Sequence, residues 1–387
     1  MAFIDSLAAI EPSEWNRLQG THSPFLRHEF LYGLETTGCT TTATGWTPHH
    51  WIERDDQGQL MAALPCYRKH HSFGEYVFDW AWAEAWAHYG RDYYPKLLSA
   101  VPFTPCEGPR LLLHPDADGA STGFRSTQAV LAELEGGSYS SWHLLFPDAE
   151  SQHHLDRDQW LRRLSCEFHW HNPGFPNFEG FLATLKSRKR KQIRRERRLV
   201  ADQGIEFRHY SGRNGIPENA LEAFHVFYQA TYLKRGQRPY LNRDFFQYLA
   251  DRMPEQLTLV MAVHQGHYVA AALFLHDEQR LYGRYWGCLE EYDQLHFEAC
   301  YYQGIDLCIE RALSRFDAGA QGEHKLKRGF QPELFESFHW VGDKQLRPAV
   351  ADFCRREAQA IRAYTEKAAQ ELPFVSSSTS PGPGSSN

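Results

Sequence analysis

The amino-acid sequence predicts an α/β fold made of two similar halves, with a strongly basic helix between them. Apolar segments with strand and helix periodicities alternate along the 387 residues. A glycine turn followed by an Ala-rich apolar strand occurs at residues 58–67 and again at 266–275. Such internal similarity is typical of a duplicated domain, although any β-hairpin with an Ala-rich strand would show the same pattern. Between residues 186 and 198, nine of thirteen side chains are Lys or Arg, which sets this segment apart from both halves.

The N-terminal half is predicted to begin with a β-hairpin and to continue as short strands and helices. The turn DDQG at residues 55–58 is typical of a tight connection between two strands, because Asp and Gly tolerate its backbone angles. The predicted strands of this half are 46–52, 59–67, 76–82, 111–114 and 142–146. Its predicted helices are 92–101 and 126–134.

The C-terminal half repeats this rhythm after the basic segment. Proline before and glycine after residues 181–200 indicate the limits of a helix that carries the basic run. Apolar residues at a spacing near 3.6 predict a long helix over 295–315. The remaining predicted helices are 217–233, 243–253 and 349–372. The predicted strands are 257–264, 268–276, 280–287 and a short strand at 315–317.

These elements predict four consecutive regions. The first and third are similar domains over residues 1–175 and 256–372, and residues 176–255 hold the basic helix and a helical connection. The last region, residues 373–387, is a tail that from residue 376 contains no apolar side chain. Segments of that composition cannot bury enough surface to fold, so we expect the tail to be disordered.

Composition limits the class of protein. The net charge of −7 argues against a general polyanion binder, although the basic run could act locally. Eight cysteines without a C-x-x-C pair give no disulfide framework, which favours a reducing compartment. The first fifteen residues do not resemble a signal peptide, and no apolar run reaches the length of a membrane span. We therefore expect a cytoplasmic location, with contact to a membrane surface left possible.

The basic run is a candidate binding element for phosphates. Charges on every face of a helix cannot all be buried, and like charges one turn apart destabilise a helix unless an anion compensates them. The candidate phosphate-binding residues are Lys186, Arg190, Arg194 and Arg197. The alternative is a solvated helix between domains. No aromatic residue interrupts the run, so stacking on nucleic-acid bases is not expected there.

The most informative segment is GAQGEHKLKRGF at residues 319–330, which follows the short predicted strand 315–317. Loops after the carboxyl end of a strand are where α/β sheets carry their sites. Glu323 and His324 are candidates for proton transfer, and Lys325 is a candidate for binding an oxyanion together with N–H groups of the glycine loop. A solvated surface loop with a salt bridge is the alternative.

A second candidate group opens the predicted helix 295–315. His296 and Glu298 lie in its first turn, where either could assist proton transfer. A carboxylate at that position also stabilises the helix dipole, so Glu298 has an equally good structural explanation. Cys166, His169 and His171 do not share one face of a strand, and we therefore expect no metal site. Nucleophile-elbow, Walker, dinucleotide and zincin motifs are absent from the sequence.

Several motifs resemble the FemAB-like family of predicted N-acyltransferases. They are LYGRYWG (281–287), LHFEACYYQGI (295–305), FDAGAQGEHKLKRGFQP (316–332) and FHW (338–340), joined upstream by SPFLRHEFL (23–31) and YLKRGQRPYLNRDFF (232–246). The resemblance covers about residues 23–357. The family is similar to the Fem transferases, which move amino acids from charged tRNA onto peptidoglycan precursors. It implies tandem GNAT-like acyltransferase domains with mixed sheets and a basic helix between them.

The resemblance also implies a reaction, in which an acyl or aminoacyl group passes from an activated carrier to an amine on a small molecule or peptide. No permanently bound cofactor is implied; the co-substrate is aminoacyl-tRNA or acyl-CoA, and tRNA is a possible partner. The acyl-CoA loop Q/R-x-x-G-x-G/A is not recognisable before residue 295, which weakens acetyl-CoA as the donor. The predicted substrate-binding residues are Arg284, Tyr301, Gln321, Lys327 and Arg328. The alternative function is a non-catalytic protein that binds a cell-wall precursor or nucleic acid on a GNAT scaffold.

Overall fold

The computed structural model describes residues 1–212, 215–319 and 322–375. The tail predicted to be disordered from residue 376 lies outside this range, as does Gln321. Within the described residues, no helix combines the length and the apolar character that crossing a membrane requires.

Fifteen strands form two sheets in the described residues. The strands are β1 (Ala2–Ile4), β2 (Trp46–Pro48), β3 (His50–Arg54), β4 (Leu60–Leu64), β5 (Tyr67–Lys69), β6 (Lys96–Ser99), β7 (Leu112–Leu113), β8 (Ser141–Leu144), β9 (Leu161–His171), β10 (Ile205–Ser211), β11 (Leu257–His264), β12 (His267–His276), β13 (Arg280–Cys288), β14 (Arg315–Asp317) and β15 (Gln331–Val341). The small sheet has the order β1-β3-β4-β7. The large sheet has the order β10-β11-β12-β13-β14-β9-β15-β8-β6-β5-β2.

Helices cover these sheets and connect the two halves. They are α1 (Pro12–Trp15), α2 (His28–Thr36), α3 (Trp80–His88), α4 (Gly119–Glu135), α5 (Ala149–His153), α6 (Phe178–Ala183), α7 (Ser187–Asp202), α8 (Glu218–Leu233), α9 (Arg243–Arg252), α10 (Leu295–Phe297), α11 (Gln303–Glu310) and α12 (Arg347–Gln370). A π-helical turn, Glu298–Tyr302, joins α10 to α11 without a break.

The two halves share a plan. In each, an antiparallel hairpin (β3–β4 or β11–β12) is followed by a parallel strand pair, and a helix lies between the two members of that pair. The parallel pairs are β6 with β8, and β13 with β14. This supports the predicted duplication. The halves also exchange strands, because β9 of the first half pairs with β14 and β15, while β15 pairs with β8. The exact domain limits stay a prediction.

One apolar core connects the halves. Phe25 and Phe30, near the start of the chain, contact Tyr282 of β13 and Phe245 of α9 through edge-to-face ring pairs with centroids 4.9 and 5.4 Å apart. Edge-to-face contacts of this kind are favourable beyond the area that they bury. The halves are therefore fixed relative to each other, and a cleft between them has defined walls.

Two predictions for the N-terminal half are wrong. Residues 92–101, predicted as a helix, contain strand β6, whose four residues are all buried. A strand that is covered on both faces loses its alternating pattern and cannot be told from a helix by periodicity. Residues 76–82, predicted as a strand, instead lead into helix α3. Its buried Trp82 and Trp86 are four residues apart and lie on one helical face.

The other differences between the predicted and the observed elements concern where strands and helices end or are interrupted. The predicted strands 46–52 and 59–67 are each divided, because the chain passes from one sheet to the other at those points. The predicted helix 181–200 is two helices, α6 and α7, separated near Leu185, which forms a β-bridge with Phe374. The helix predicted over 295–315 ends at Glu310.

Candidate active site

The cavity that we assign as the candidate site lies where two parallel strands separate. β13 and β14 pair over three residues, Arg280–Tyr282 with Arg315–Asp317. β14 then ends, while β13 continues to Cys288 with β12 along one edge. The other edge borders a cavity of about 620 Å³, which residues of both halves and of α8 line. Among the described residues this edge has no strand partner, although the carbonyls of Gly283 and Trp286 accept hydrogen bonds from Arg284 and Thr231, at 3.2 and 2.9 Å. Backbone N–H groups on such an edge need acceptors, so the edge can bind a carbonyl group of a ligand.

A buried ion pair fixes the point at which the strands separate. The Arg284 guanidinium donates to both carboxylate oxygens of Asp317, at 3.0 and 2.5 Å. Such two-point pairing is geometrically specific. Burial opposes ionisation here, but the Arg284 charge holds the pKa of Asp317 well below its usual range. Arg284, a predicted substrate-binding residue, lines the cavity, but its charge is already neutralised by Asp317.

Three predicted residues meet at the cavity wall. A hydrogen bond of 2.8 Å joins the Tyr301 hydroxyl and Nε2 of His324. The His296 ring lies next to both, with centroids 5.5 Å from Tyr301 and 6.3 Å from His324. All three side chains line the cavity. The π-helical turn helps to place Tyr301 there, and such turns are frequent at functional sites.

The electrostatic environment keeps these imidazoles neutral. Partial burial, followed by the positive charges of Arg328, Lys325 and Lys327, lowers the pKa of His324. The pKa of His296 is lowered to about 4 by surrounding protein atoms and then by neighbouring positive groups, although the residue keeps substantial exposure to solvent. Burial raises the pKa of Tyr301, which therefore keeps its proton. A neutral imidazole bonded to a protonated phenol is an arrangement suited to proton transfer.

Glycines shape the loop that carries His324. Gly322 has a φ of +120°, and a Cβ atom added there would lie 2.3 Å from the His324 ring. Gly319 has a φ of +86°, and its N–H donates to Asp317 at 2.9 Å. The Gly319 N–H therefore already has an acceptor within the protein. Stabilisation of an oxyanion by other N–H groups of the glycine loop stays a prediction. The Lys325 Nζ donates to the Gly319 carbonyl, and burial lowers the pKa of Lys325 to about 8.

Two further predicted residues have structural partners. The buried Arg328 donates to the Tyr302 hydroxyl at 2.9 Å and to Glu196 at 2.8 Å, and it lies over the ring of Phe297. It does not line the cavity and connects the 319–330 loop to α7. Glu298 is 4% exposed and accepts two hydrogen bonds from Arg197, at 3.0 and 3.2 Å. Neither residue faces a substrate in this arrangement.

The remaining predicted residues of the loop point elsewhere. Glu323 is exposed and accepts a hydrogen bond of 3.1 Å from Tyr364 of α12, outside the cavity lining. Glu323 is therefore a less suitable candidate for the catalytic base than His324. Lys327 is exposed to solvent. Gln321 lies outside the described residues.

The basic helix α7 divides its charges between two faces. Arg197 binds Glu298 and Asp306, and Arg194 binds Glu179, so two of the four predicted phosphate-binding residues already have carboxylate partners. Arg190 and Lys186 donate to backbone carbonyls at 3.2 and 3.3 Å. A second set is exposed and forms no ion pair with any described residue, at spacings of three and four residues that define one helical face: Arg188, Lys191, Arg195 and Arg198. We call this set the basic stripe; its spacing is visible in the sequence.

Sequence reasoning missed the aromatic part of the cavity wall. The segment 73–80 contributes Phe73, Tyr76, Phe78 and Trp80. Its residues from 76 onward were predicted as part of the strand 76–82. These positions come from the N-terminal half, so no local pattern connects them with the 319–330 loop. A run of four aromatic residues with little regular structure was the available signal.

Metal chemistry has no support in the described residues, where no three His, Cys, Asp or Glu side chains are arranged to hold an ion. His169 and His171 instead contact Glu333 of β15.

The fold has two mixed half-sheets, each with one parallel strand pair, and a cavity lies where one of these pairs separates. These features define a tandem GNAT-type acyltransferase fold. Similar solved structures have this fold at low sequence identity. FemX is 11% identical with a TM-score of 0.50, covering 91% of this chain and 100% of that chain. L-PGS from Bacillus licheniformis is 11% identical with a TM-score of 0.52, covering 87% and 96%. A conserved protein of unknown function from Bacteroides thetaiotaomicron VPI-5482 is 10% identical with a TM-score of 0.52, covering 87% and 98%.

The chain belongs to the FemAB-like family, whose model is described as peptidoglycan biosynthesis/recognition and matches residues 6–376. No curated protein matches the sequence significantly. The family resemblance and the fold class predicted from the sequence are thereby confirmed.

Proposed function

We propose that the protein transfers an acyl or aminoacyl group from an activated carrier to an amine of a peptidoglycan-related acceptor, and that the reaction takes place in the cavity beside β13. The observation that carries the proposal is the joint presence of an unpaired strand edge and the His324–Tyr301 hydrogen bond on one cavity wall. The strand edge can bind a carbonyl group, and the His324–Tyr301 pair can transfer a proton. Family membership supports the acceptor class.

In the proposed mechanism, the neutral amine attacks the carbonyl carbon of the bound ester or thioester. The negative charge that develops on the carbonyl oxygen is stabilised by N–H groups on the free edge of β13. The nitrogen then loses a proton to the His324–Tyr301 pair, and the bond to the carrier oxygen or sulfur breaks. The same pair returns the proton to the leaving group, so that protons balance over one turnover. No covalent enzyme intermediate is required.

The positive surroundings of the cavity contribute to this step. Arg235 lines the cavity, and Lys325 and Arg328 lie close enough to lower the pKa of the imidazoles. The same field disfavours a protonated amine and favours the reactive neutral form. In the proposed mechanism, Lys325 supplies part of this field and holds the loop through its hydrogen bond to the Gly319 carbonyl.

A donor with a phosphate-rich carrier has a binding surface in the basic stripe. Within the part of the chain that the structure describes, no carboxylate pairs with the exposed side chains of Arg188, Lys191, Arg195 and Arg198. Changing all four to Ala should weaken binding of aminoacyl-tRNA and reduce the log–log salt slope by about 3, at roughly 0.7 to 0.9 per lost phosphate contact. Fluorescence anisotropy at several salt concentrations measures both quantities. The matched control is a variant of the neutralised set, Arg194→Ala; an equal loss there would contradict the proposal.

Activity is tested by offering aminoacyl-tRNA and acyl-CoA separately with a lipid-linked or soluble peptidoglycan precursor and detecting the acylated product by mass spectrometry. We expect His324→Ala to lower kcat about 10²-fold, because general acid–base catalysis contributes at least that much. The exposed His153 of α5 supplies the control variant, His153→Ala. If the wild-type protein binds the precursor but forms no product with either donor class, the non-catalytic alternative is correct.

A further inference from the structure

The lining of the cavity is dominated by aromatic rings. Among the described residues, the rings that line it are Phe73, Tyr76, Phe78, Trp80, Tyr228, Tyr232, Tyr240, Phe274, Tyr285, Trp286 and Tyr301. Reaction at a carbonyl and an amine needs only a few polar groups and does not require so many rings. A volume of about 620 Å³ is that of a site for a sizeable organic group. The rings therefore indicate what the rest of the substrate is made of.

The inner rings are held in place before any ligand binds. Tyr228 packs edge-to-face on Tyr232 and on Tyr285, with centroids 5.0 and 5.6 Å apart. Tyr240 stacks on Phe103 at 4.8 Å. Because these side chains are fixed by one another, a ligand that fills the space loses little free energy in ordering them.

The outer rings are exposed although they are large and apolar. Phe73, Phe78 and Trp80 are 55%, 53% and 36% exposed. All three lie in one short segment at the mouth of the cavity, and contiguous exposed apolar groups beside a pocket mark a binding surface. An apolar group that enters the cavity would bury them.

The charged side chains that line the cavity, among the described residues, are all positive. The described lining residues include Arg235 and Arg284 but no Asp or Glu. Arg284 is neutralised by Asp317 behind the wall, so a bound ammonium group would meet no free carboxylate. Burial lowers the pKa of His296 most, and the charges of Arg328, Lys325 and Arg235 lower it further. These charges, one of which lines the cavity, would also repel a cation and so oppose the attraction that aromatic faces offer to ammonium groups.

We infer that this cavity takes an uncharged apolar acyl group of the donor, a ring or a hydrocarbon chain, and discriminates against an aminoacyl group with a free α-ammonium. This inference rests on the proposed function and narrows its donor class. The carbonyl lies at the β13 edge, and the apolar part extends among the rings toward Phe78 and Trp80.

The test compares small neutral and cationic probes of the same shape. Binding of 3-phenylpropionamide, hexanamide and 3-phenylpropylammonium to the full-length protein at pH 7.5 is measured by ligand-observed NMR with titration. The last probe is fully protonated there, since alkylammonium groups have a pKa of about 10. We expect one or both amides to bind at least about tenfold more tightly than the ammonium, and the ring–chain difference to show which acyl type fits better.

Variants separate the cavity from unspecific binding. Phe78→Ala should weaken amide binding at least about threefold, because it removes an exposed ring at the mouth without opening a core. Phe124→Ala removes a ring of similar exposure, 50%, on α4 outside the lining, and should leave binding unchanged. Equal or tighter binding of the ammonium, absence of binding by both amides, or equal effects of the two variants would overturn the inference.

The probe-binding test and the transfer assay of the proposed function can fail independently of each other. If the protein transfers aminoacyl groups but fails the probe test, the inference is wrong and the function stands. If the amides bind as expected but no donor of any class is transferred, the function is wrong and the cavity specificity stands.

Discussion

The two parallel strand pairs of the molecule have the same topology and opposite outcomes. In the N-terminal pair, contact between the chains continues beyond the strands, since the N–H of Leu145 donates to the carbonyl of Ser99 at 3.0 Å. The fully buried guanidinium of Arg110 lies beside this point and donates to four backbone carbonyls, those of Cys106, Gly108, Pro109 and Leu145. In the C-terminal pair, contact ends at Asp317 and a cavity follows.

The difference shows what decides whether one half of a duplicated fold has a binding site. The decisive feature is whether the backbone N–H and C=O groups at the edge of the strand are hydrogen-bonded within the protein. Buried backbone groups must be paired. The N-terminal half meets this need for four carbonyls with the side chain of Arg110. In the C-terminal half, Arg284 binds the Asp317 carboxylate and also donates to the carbonyls of Gly283 and Asp317, at 3.2 and 3.4 Å. Beyond Tyr282, this edge of β13 has no strand partner among the described residues.

The N-terminal half instead concentrates its charges in a closed cluster. Lys96 is fully buried and donates to Glu75 at 2.7 Å and to Asp79. The two carboxylates flank the segment that carries the cavity rings Tyr76 and Phe78. Lys69 donates to the carbonyl of Phe73 at 3.2 Å in the same region. This half therefore contributes to the site by holding its aromatic wall.

The largest effect should come from breaking that cluster. Lys96→Met leaves two buried carboxylates without their main partner and should lower the free energy of unfolding by about 3 to 5 kcal/mol. Chemical denaturation followed by circular dichroism measures the change. The exposed Lys367 of α12 provides the control, Lys367→Met, which should change stability by less than about 0.5 kcal/mol. A loss for Lys96→Met no larger than that of the control would show that the cluster holds nothing in place.

The second prediction, of intermediate size, compares the loss of Arg110 with the loss of Arg284. Arg110→Met leaves buried carbonyls without donors and should cost about 1 to 3 kcal/mol of stability, with kcat unchanged in the folded fraction. Arg284→Met should lower kcat as well, because Asp317 then faces the reaction region unpaired and reverses the local field. Denaturation and steady-state kinetics on both variants give the comparison. Equal losses of kcat would mean that the halves do not differ in the way described.

The smallest effect concerns pH. His324 accepts a proton only as the free base, and its lowered pKa places the acid limb of kcat/KM below the ordinary histidine value of 6.5, with activity lost as pH falls through that lowered pKa. Lys327→Gln removes one of the charges responsible and should move the limb to higher pH. At about 1 M salt the shift should disappear, because screening then acts within about 3 Å. A limb that moves to lower pH would exclude His324 as the base.

Sequence reasoning was most successful where local pattern decides the structure. β11 was predicted at its observed limits, because a turn separates it from β12 and strand propensity agrees with its burial. It failed at β6, where burial on both faces removes periodicity. The 319–330 loop was recognised from composition, but whether Glu323 or His324 faces the cavity depends on contacts with α12 and the π-helical turn. Likewise Arg197 could not be told from the free cations of α7, since its partners lie about a hundred residues away.

The strand exchange between the halves has a consequence for synthesis on the ribosome. β9 pairs only with β14 and β15 among the described strands, and both emerge later. After His171 is made, about 140 further residues precede β14, which at roughly 5 to 20 residues per second is a wait of several seconds or more. Both edges of an eleven-residue strand are exposed during that time. Its charged residues, among them Arg162, Arg163 and Glu167, oppose premature pairing with other chains, so the polarity of β9 protects the nascent protein as well as the finished one.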